Sequence, residues 1–413
     1  MHVLLITQYF WPENFLINDL ARQLNLQGVT VTVLTGKPNY PSGQVFPGHR
    51  AMGCEHERFE DISIHRVPIV PRGQKSRVGL VLNYLSFIAS AGMLGRRVLR
   101  GAAPFDVVFV YAPSPLLQAL AAVRLARLYK LPLVVWVQDL WPESLSATGH
   151  VKNSWLLGMV AKSVKRIYRA TDRILVQSRA FVAPVAALTD QPGKIHYYPN
   201  LYQPHKDSHP SKNAGDLAQR LHQHFNVVFA GNLGTAQALD IVVEAARKLQ
   251  PHPRIRLVLV GSGSMGPWLA EQCAQKNLRN VLLPGRFDAS DMPTILGAAS
   301  ALLVSLRADP AFALTIPSKI QAYLAAGRPI IASLDGEGAR IVEESDSGFC
   351  CPAGNAELLA EAILRMAHTP LEEREAMGKR GQQYFHQHFA PAHLVEQLKM
   401  HFNDVISAKR EAP

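Results

Sequence analysis

Along the first two hundred positions, short continuous apolar runs alternate with longer stretches that are apolar on one side only. The runs HVLLIT (2–7), VTVTVL (29–34), DVVFVY (106–111), LVVWVQ (133–138) and RILVQS (173–178) read as strands. Apart from the alternating VTVTVL they are largely apolar, as parallel strands covered on both faces are. Helical patterning fills the gaps, for example at 14–27 and 115–129. The pattern breaks at 199–224, a polar stretch rich in Pro, His and Lys, which reads as a linker. A second series follows with NVVFAG (226–231), RLVLVG (256–261), NVLLPG (280–285), ALLVSL (301–306) and PIIAS (329–333). The expected architecture is α/β, with two doubly wound Rossmann-like domains facing each other across a cleft. The expected boundaries are 1–200, a linker at 201–225, and 226–387. Helical patterning at 371–387 and 391–408 follows, and the terminal helix at 388–413 is expected to pack back on the first domain.

The segment Pro317-Ser-Lys-Ile-Gln-Ala-Tyr-Leu-Ala-Ala-Gly-Arg-Pro-Ile-Ile-Ala332 predicts a short helix that stops at Gly327 and turns into a buried strand. Pro317 suits the first helical turn, where its missing N–H costs nothing. Ser318 and Lys319 then lie at the positive end of the helix, beside N–H groups with no partner, where a phosphate would bind. An ordinary helix–strand joint with a solvated Lys319 is the other reading of the same residues.

Glycines end three strands of the second series: Gly231-Asn232-Leu233-Gly234, Gly261-Ser-Gly263 and Gly285-Arg286-Phe287. Ligands of open α/β sheets bind at strand carboxyl ends, and glycine permits close backbone approach. Each glycine alone also suits an ordinary turn; the set, with Lys319 at a fourth strand end, favours a nucleotide site. The spacing is not G-x-G-x-x-G with its downstream acid, and no G-x-x-x-x-G-K-[ST] loop is present.

Composition and charge narrow the partners. The chain has 413 residues, 48% of them hydrophobic, enough for two packed cores. Cys54, Cys273, Cys350 and Cys351 show no metal-ligand spacing, and a reducing, cytosolic compartment is expected. The first thirteen residues lack the basic start and apolar core of a signal peptide, and no apolar run reads as long enough to span a bilayer. Residues 1–200 contain 22 Lys+Arg and 11 Asp+Glu, whereas 201–413 contain 21 of each. The whole excess of the +11 net charge therefore lies in the first half, which points to an anionic partner there.

Taken in order, GNLG, VGSG, PGR and PSKIQAYLAAGRPIIAS, together with YFWPEN, GVTVTVLTGKPNYP and VVWVQDLWPES in the first half, resemble a retaining, nucleotide-sugar-dependent glycosyltransferase of the GT-B fold, glycosyltransferase family 4. Within it the chain is most similar to bacterial O-antigen and capsule enzymes that transfer N-acetyl-L-fucosamine or related amino sugars. The resemblance covers essentially the whole chain and implies a UDP-sugar donor, with uridine met by backbone around Arg286-Phe287. It also shows departures. The family's two glutamates fall at Leu314 and Ala322, its phosphate-binding Arg and Lys at Asn232 and Gln237, and its histidine at Gln138, followed by Asp139. Lys319 is the substitute cation for the diphosphate, with Arg307 and Arg286 as second choices or plain surface charges. Glu337 could hold a ribose or sugar hydroxyl, or be an exposed turn residue.

Sugar transfer from a nucleoside diphosphate requires neutralisation of the leaving group, stabilisation of an oxocarbenium-like centre and orientation of the acceptor. No Asp-x-Asp motif is present, so Lys319 and a helix dipole are expected to replace a metal, and no cofactor is expected. In the first domain Glu13, Asp139 and Glu143 are the candidates near the reacting centre; helix capping is the structural alternative for Glu13 and Asp139. Trp11 and Trp141 stack on sugar or lipid, or pack in the core.

Residues 72–101 form an apolar stretch flanked by Arg72, Lys75, Arg77, Arg96, Arg97 and Arg100. Residues 152–169 place Lys152, Lys162, Lys165, Arg166 and Arg169 around Trp155, Leu156, Leu157 and Met159. Such segments lie on anionic membranes, or are core helices with basic ends. A polyprenyl-diphosphate-linked acceptor at the cytoplasmic face of the inner membrane fits them. Nucleic acid is not expected, for want of a recognition motif. Two rival functions stand: a non-hydrolysing UDP-sugar 2-epimerase of the same fold, and a non-catalytic nucleotide-sugar-binding partner.

Overall fold

The computed structural model describes residues 1–73, 77–102, 104–147, 153–204 and 210–411. The chain forms two compact units, Met1–Leu201 with Pro391–Pro413, and Tyr202–Ala390.

The first unit is built on an eight-stranded sheet, ordered β3-β4-β2-β1-β5-β6-β7-β8. Its strands are β1 (His2–Ile6), β2 (Thr30–Thr35), β3 (Glu55–Phe59), β4 (Ile62–Arg66), β5 (Val107–Ala112), β6 (Leu133–Val137), β7 (Arg173–Val176) and β8 (Ile195–Tyr197). All pairs are parallel except the β3–β4 hairpin. The central strands are buried along their length, and β5 and β6 are covered at every residue. The helix Leu16–Leu26 buries Ile17, Leu20, Ala21 and Leu24, one face at helical spacing. The helix Pro391–Glu411 lies beside it, sharing a core that includes Leu394, Leu398 and Phe402. The Tyr198 hydroxyl donates to the Leu394 carbonyl at 3.0 Å.

The second unit holds a six-stranded sheet, ordered β11-β10-β9-β12-β13-β14. Its strands are β9 (Phe225–Ala230), β10 (Ile255–Val260), β11 (Val281–Gly285), β12 (Ala301–Ser305), β13 (Ile330–Ser333) and β14 (Gly348–Cys351), and all pairs are parallel. The strand order reverses between β1 and β5 in the first sheet and between β9 and β12 in the second. Ligand sites of such sheets form at these reversals.

Three expectations are corrected. The expected linker at 201–225 contains a helix: Lys212–Leu221, capped by Ser211, buries Ala214, Leu217 and Leu221 against the helix Met292–Gly297 of the second unit. Polarity misled because only a narrow apolar stripe of this helix is covered. Pro317 is the cap with extended backbone, and the helix begins at Ser318. Among the described residues the helix segment Val78–Val98 is long and apolar enough to cross a membrane; scattered Ser, Asn and Gly residues disguised its continuity. Lys75 and Lys152 lie outside the described residues.

Candidate functional site

In the second unit the helix Ser318–Ala326 runs from its cap at Pro317 to Gly327, whose φ of 66° closes it. The Tyr323 hydroxyl receives the Ala230 N–H at 3.0 Å, so one face of the helix is pinned to the end of β9. Lys319 precedes Tyr323 by four residues and shares that face. Its stem crosses Gly231, where an added Cβ would stand 2.7 Å from the Lys319 Cε. Its ammonium lies 4.8 Å from the Phe229 ring centre and donates to Gln237 Oε1 at 2.7 Å. No carboxylate pairs with it among the described residues. Burial without an anion lowers the Lys319 ammonium to about 8.

Gln237 is held in turn. Ser305 Oγ donates to its carbonyl at 2.9 Å. Arg307 donates from its side chain to Thr235 O at 2.5 Å and from its backbone to Ala236 O at 3.0 Å, and lies 3.6 Å from Asp240. Arg307 thus braces the 235–237 turn. The resemblance places a family cation at position 237; here the cation arrives from position 319 instead.

Gly261 and Gly263 share one packing task. A Cβ on Gly261 would fall 1.8 Å from Gly231 O, and one on Gly263 would fall 2.4 Å from Leu233 O. The loops therefore stack backbone on backbone. Leu233, expected to meet a ligand, has a packing role: its side chain is in the core, its N–H donates to Ser262 O, and its carbonyl accepts from Met265. Asn232 is exposed, with its amide against Gly234.

Ser318 is exposed at the helix start. Beside it begins the helix Glu337–Glu344, whose Gly338 would bring a Cβ to 3.0 Å from Ile320 and 3.2 Å from Pro317, so two helix N-termini adjoin. Glu337 is buried and paired through both oxygens with Arg340, at 3.1 and 3.2 Å. Arg286 is exposed and Phe287 half-buried in a cavity after β11 that also includes Arg220 and Asp288. Leu314 and Ala322 supply no charge.

In the first unit Glu13 is 2% exposed. Its Oε1 accepts the N–H groups of Asn39 at 2.8 Å and Tyr40 at 2.7 Å, joining the loops after β1 and β2. Burial raises its carboxyl to about 7 against those bonds. Asp139 follows β6 and accepts from Ser144; burial also raises it, opposed by Ser144 and Ser114. Glu143 is exposed at the start of the helix Glu143–Ala147. Trp141 is buried, and Trp11 stacks on Phe59 at 5.3 Å.

Sequence reading missed the ring cluster around these acids. Tyr9 lies 5.2 Å from Phe15 and 5.8 Å from Tyr40, and the Arg72 guanidinium lies 5.6 Å from Tyr40. Tyr84 bonds Tyr9 and feels Arg72 and Asp139. Also missed was Arg66, fully buried on Glu57, Gly36 O at 2.9 Å and Trp11 O. No local spacing announces such convergence from four segments.

A model described as glycosyl transferase 4-like domain matches residues 16–200, and one described as glycosyl transferases group 1 matches 224–369. Each of the two units thus matches a glycosyltransferase model, and the fold is GT-B. It is 26% identical over 307 residues to the probable glycosyltransferase WbjE of Pseudomonas aeruginosa, covering 71% of this chain and 73% of the relative. It is 25% identical over 319 residues to the putative colanic acid biosynthesis glycosyl transferase WcaI of Escherichia coli K12, covering 75% and 76%. The crystal structure of Anabaena Alr3699/HepE in complex with UDP superposes with a TM-score of 0.69 at 15% identity, over 98% of this chain and 100% of that one.

Proposed function

We propose that this chain is a retaining, metal-independent glycosyltransferase. It moves a sugar, N-acetyl-L-fucosamine or a similar amino sugar, from a UDP-sugar to a polyprenyl-diphosphate-linked saccharide in bacterial surface polysaccharide synthesis. It works at the cytoplasmic face of the inner membrane. The relatives' descriptions and the UDP held by the structural neighbour support this reading. The observation that carries it is Lys319, a largely buried ammonium with an amide but no carboxylate for partner.

A buried unpaired cation is costly and is retained where an anion completes it. The leaving diphosphate gains negative charge as the glycosidic bond breaks. Lys319 and the free N–H groups of Ser318 and Lys319 stabilise that charge more as it develops. Arg286 and Phe287 hold the uridine, Glu337 with Arg340 a hydroxyl, and Asp139 the reacting face, with Glu13 bracing its loop. Retention follows from front-face attack.

Thermal-shift measurement with UDP and UDP-sugars tests the donor. A shift with UDP, and UDP release only on adding lipid-linked acceptor in excess chelator, is expected. Absence of any uridine-nucleotide shift, or turnover of UDP-N-acetylglucosamine without acceptor, overturns the reading.

A further inference from the structure

The positive excess of the first half has a place in the fold. The helices Arg77–Val98, Ala119–Tyr129 and Ser154–Ala170 pack side by side. Each leads into β5, β6 or β7, successive steps in one direction along the sheet. Right-handed crossovers put all three on one face. Every charged residue within these three helices is Lys or Arg. The helices of the other face, Leu16–Leu26 and Pro391–Glu411, balance Asp19, Glu396, Asp404 and Glu411 against Arg22, Lys399, Lys409 and Arg410.

The one-signed layer is also apolar outside. On its first helix Val78, Leu82, Leu85 and Met93 are 69, 47, 53 and 65% exposed. They form one stripe at helical spacing, continued by exposed Arg96 and Arg97. On the third helix Trp155 and Met159 are exposed, and Lys162 and Arg166 continue their stripe. Both helices return from a strand carboxyl end, so they run the same way, and their apolar stripes start from the same end of the layer and give way to basic side chains. Asp190 pairs with Arg169 at the basic end.

We propose that this layer seats the protein on an anionic lipid bilayer, with the helices lying in the membrane plane. Basic side chains meet the headgroups and the apolar stripes enter the acyl boundary. The first helix lies flat although its length and composition would allow it to span. Its inner side belongs to the unit: buried Asn83 accepts from Gln8 at 2.6 Å and donates to Val70 O at 2.7 Å. Gly95 lets that side press on Leu34 and Leu125. A second copy of the chain is disfavoured as occupant, because it would bring like charges together. Nucleic acid would use the basic side chains and leave the apolar stripes uncovered.

This seat deepens the proposed function and rests on it in one respect, the membrane-borne acceptor. Tyr84, which bonds Tyr9 and feels Asp139, adjoins Leu85 of the stripe. The bilayer would therefore border the loops that carry Asp139.

The test is co-sedimentation of the full chain with phosphatidylcholine vesicles, with and without phosphatidylglycerol, at low and high salt. The wild type is expected to pellet with the anionic vesicles, and less so at high salt. Leu82→Glu/Leu85→Glu and Arg96→Glu/Arg97→Glu are each expected to weaken this at least tenfold. Lys399→Glu/Lys409→Glu, on the other face, is expected to bind as the wild type does. A UDP thermal shift retained in all variants separates loss of the seat from unfolding and from failure of the donor reading. Equal binding to both vesicle types, no effect of the two layer variants, or a stripe that instead governs dimerisation or DNA binding would overturn the proposal.

Discussion

The Lys319 ammonium donates to Gln237 Oε1 at 2.7 Å across 82 positions of sequence. An amide oxygen can orient an ammonium without neutralising it, and burial then holds the lysine at about 8. The pair keeps a cation in place with its charge unspent. Lys319→Ala is expected to reduce kcat/KM at least ~100-fold, the scale of losing one electrostatic stabiliser. Circular dichroism should show the variant folded, and near-normal transfer would remove Lys319 from the site.

Gln237→Glu should separate stability from binding. The new carboxylate would pair with Lys319, raise its pKa and stabilise the free protein, at about 2–4 °C in melting temperature per kcal/mol gained. The same carboxylate would repel a diphosphate. Opposite changes in melting temperature and UDP shift are expected; a parallel change in both would refute the idea that the charge is reserved for an anion.

Glu13 makes a signed pH prediction. Its carboxyl titrates at about 7 in the fold against 4.5 ordinarily, because burial outweighs its backbone bonds. Between those values the folded chain keeps a proton that the unfolded chain has released, so this group's contribution falls as pH rises through the window. Glu13→Gln keeps an oxygen for Asn39 and Tyr40 and carries no charge. Denaturant melts should show the variant gaining on the wild type from pH 4.5 to 7, by at most about 3 kcal/mol.

His401 acts in the opposite sense. Burial, then Arg173 and His196, push it down to about 4 from 6.5, with Asp404 opposing. Arg173 donates to its Nδ1 at 2.8 Å, which requires the neutral ring. In this window the unfolded chain binds a proton that the folded ring refuses, so stability falls as pH drops. Hydrogen exchange should show Pro391–Glu411 less protected at pH 5 than at pH 7.5, with the difference diminished in His401→Gln.

Gly261→Ala is expected to unfold the second unit or cost several kcal/mol, about the upper end of single substitutions. Its φ is 143°, and a Cβ would sit 1.8 Å from Gly231 O. Gly28, with φ of 80° and open space around it, should tolerate alanine at a cost of about 1 kcal/mol. Similar melting temperatures for the two variants would show that the stacked loops can move apart.

The order of apolar runs along the chain specifies the two α/β units and nearly every central strand. A parallel strand covered on both faces is largely apolar, and that signal is local. Local residues also specify the helix end at Gly327 and the lysine placed at its start. The edge strands β3, β8 and β14 escaped, because EHERF, IHY and GFCC are only partly buried and carry a diluted pattern. The Lys212–Leu221 helix escaped for the same reason. That Lys319 reaches Gln237, that Glu13 ties two loops together, and that the basic excess gathers on one helical layer emerge only on folding. Chain order carries no record of which distant residues meet at a strand reversal, or of which face of a sheet a crossover takes.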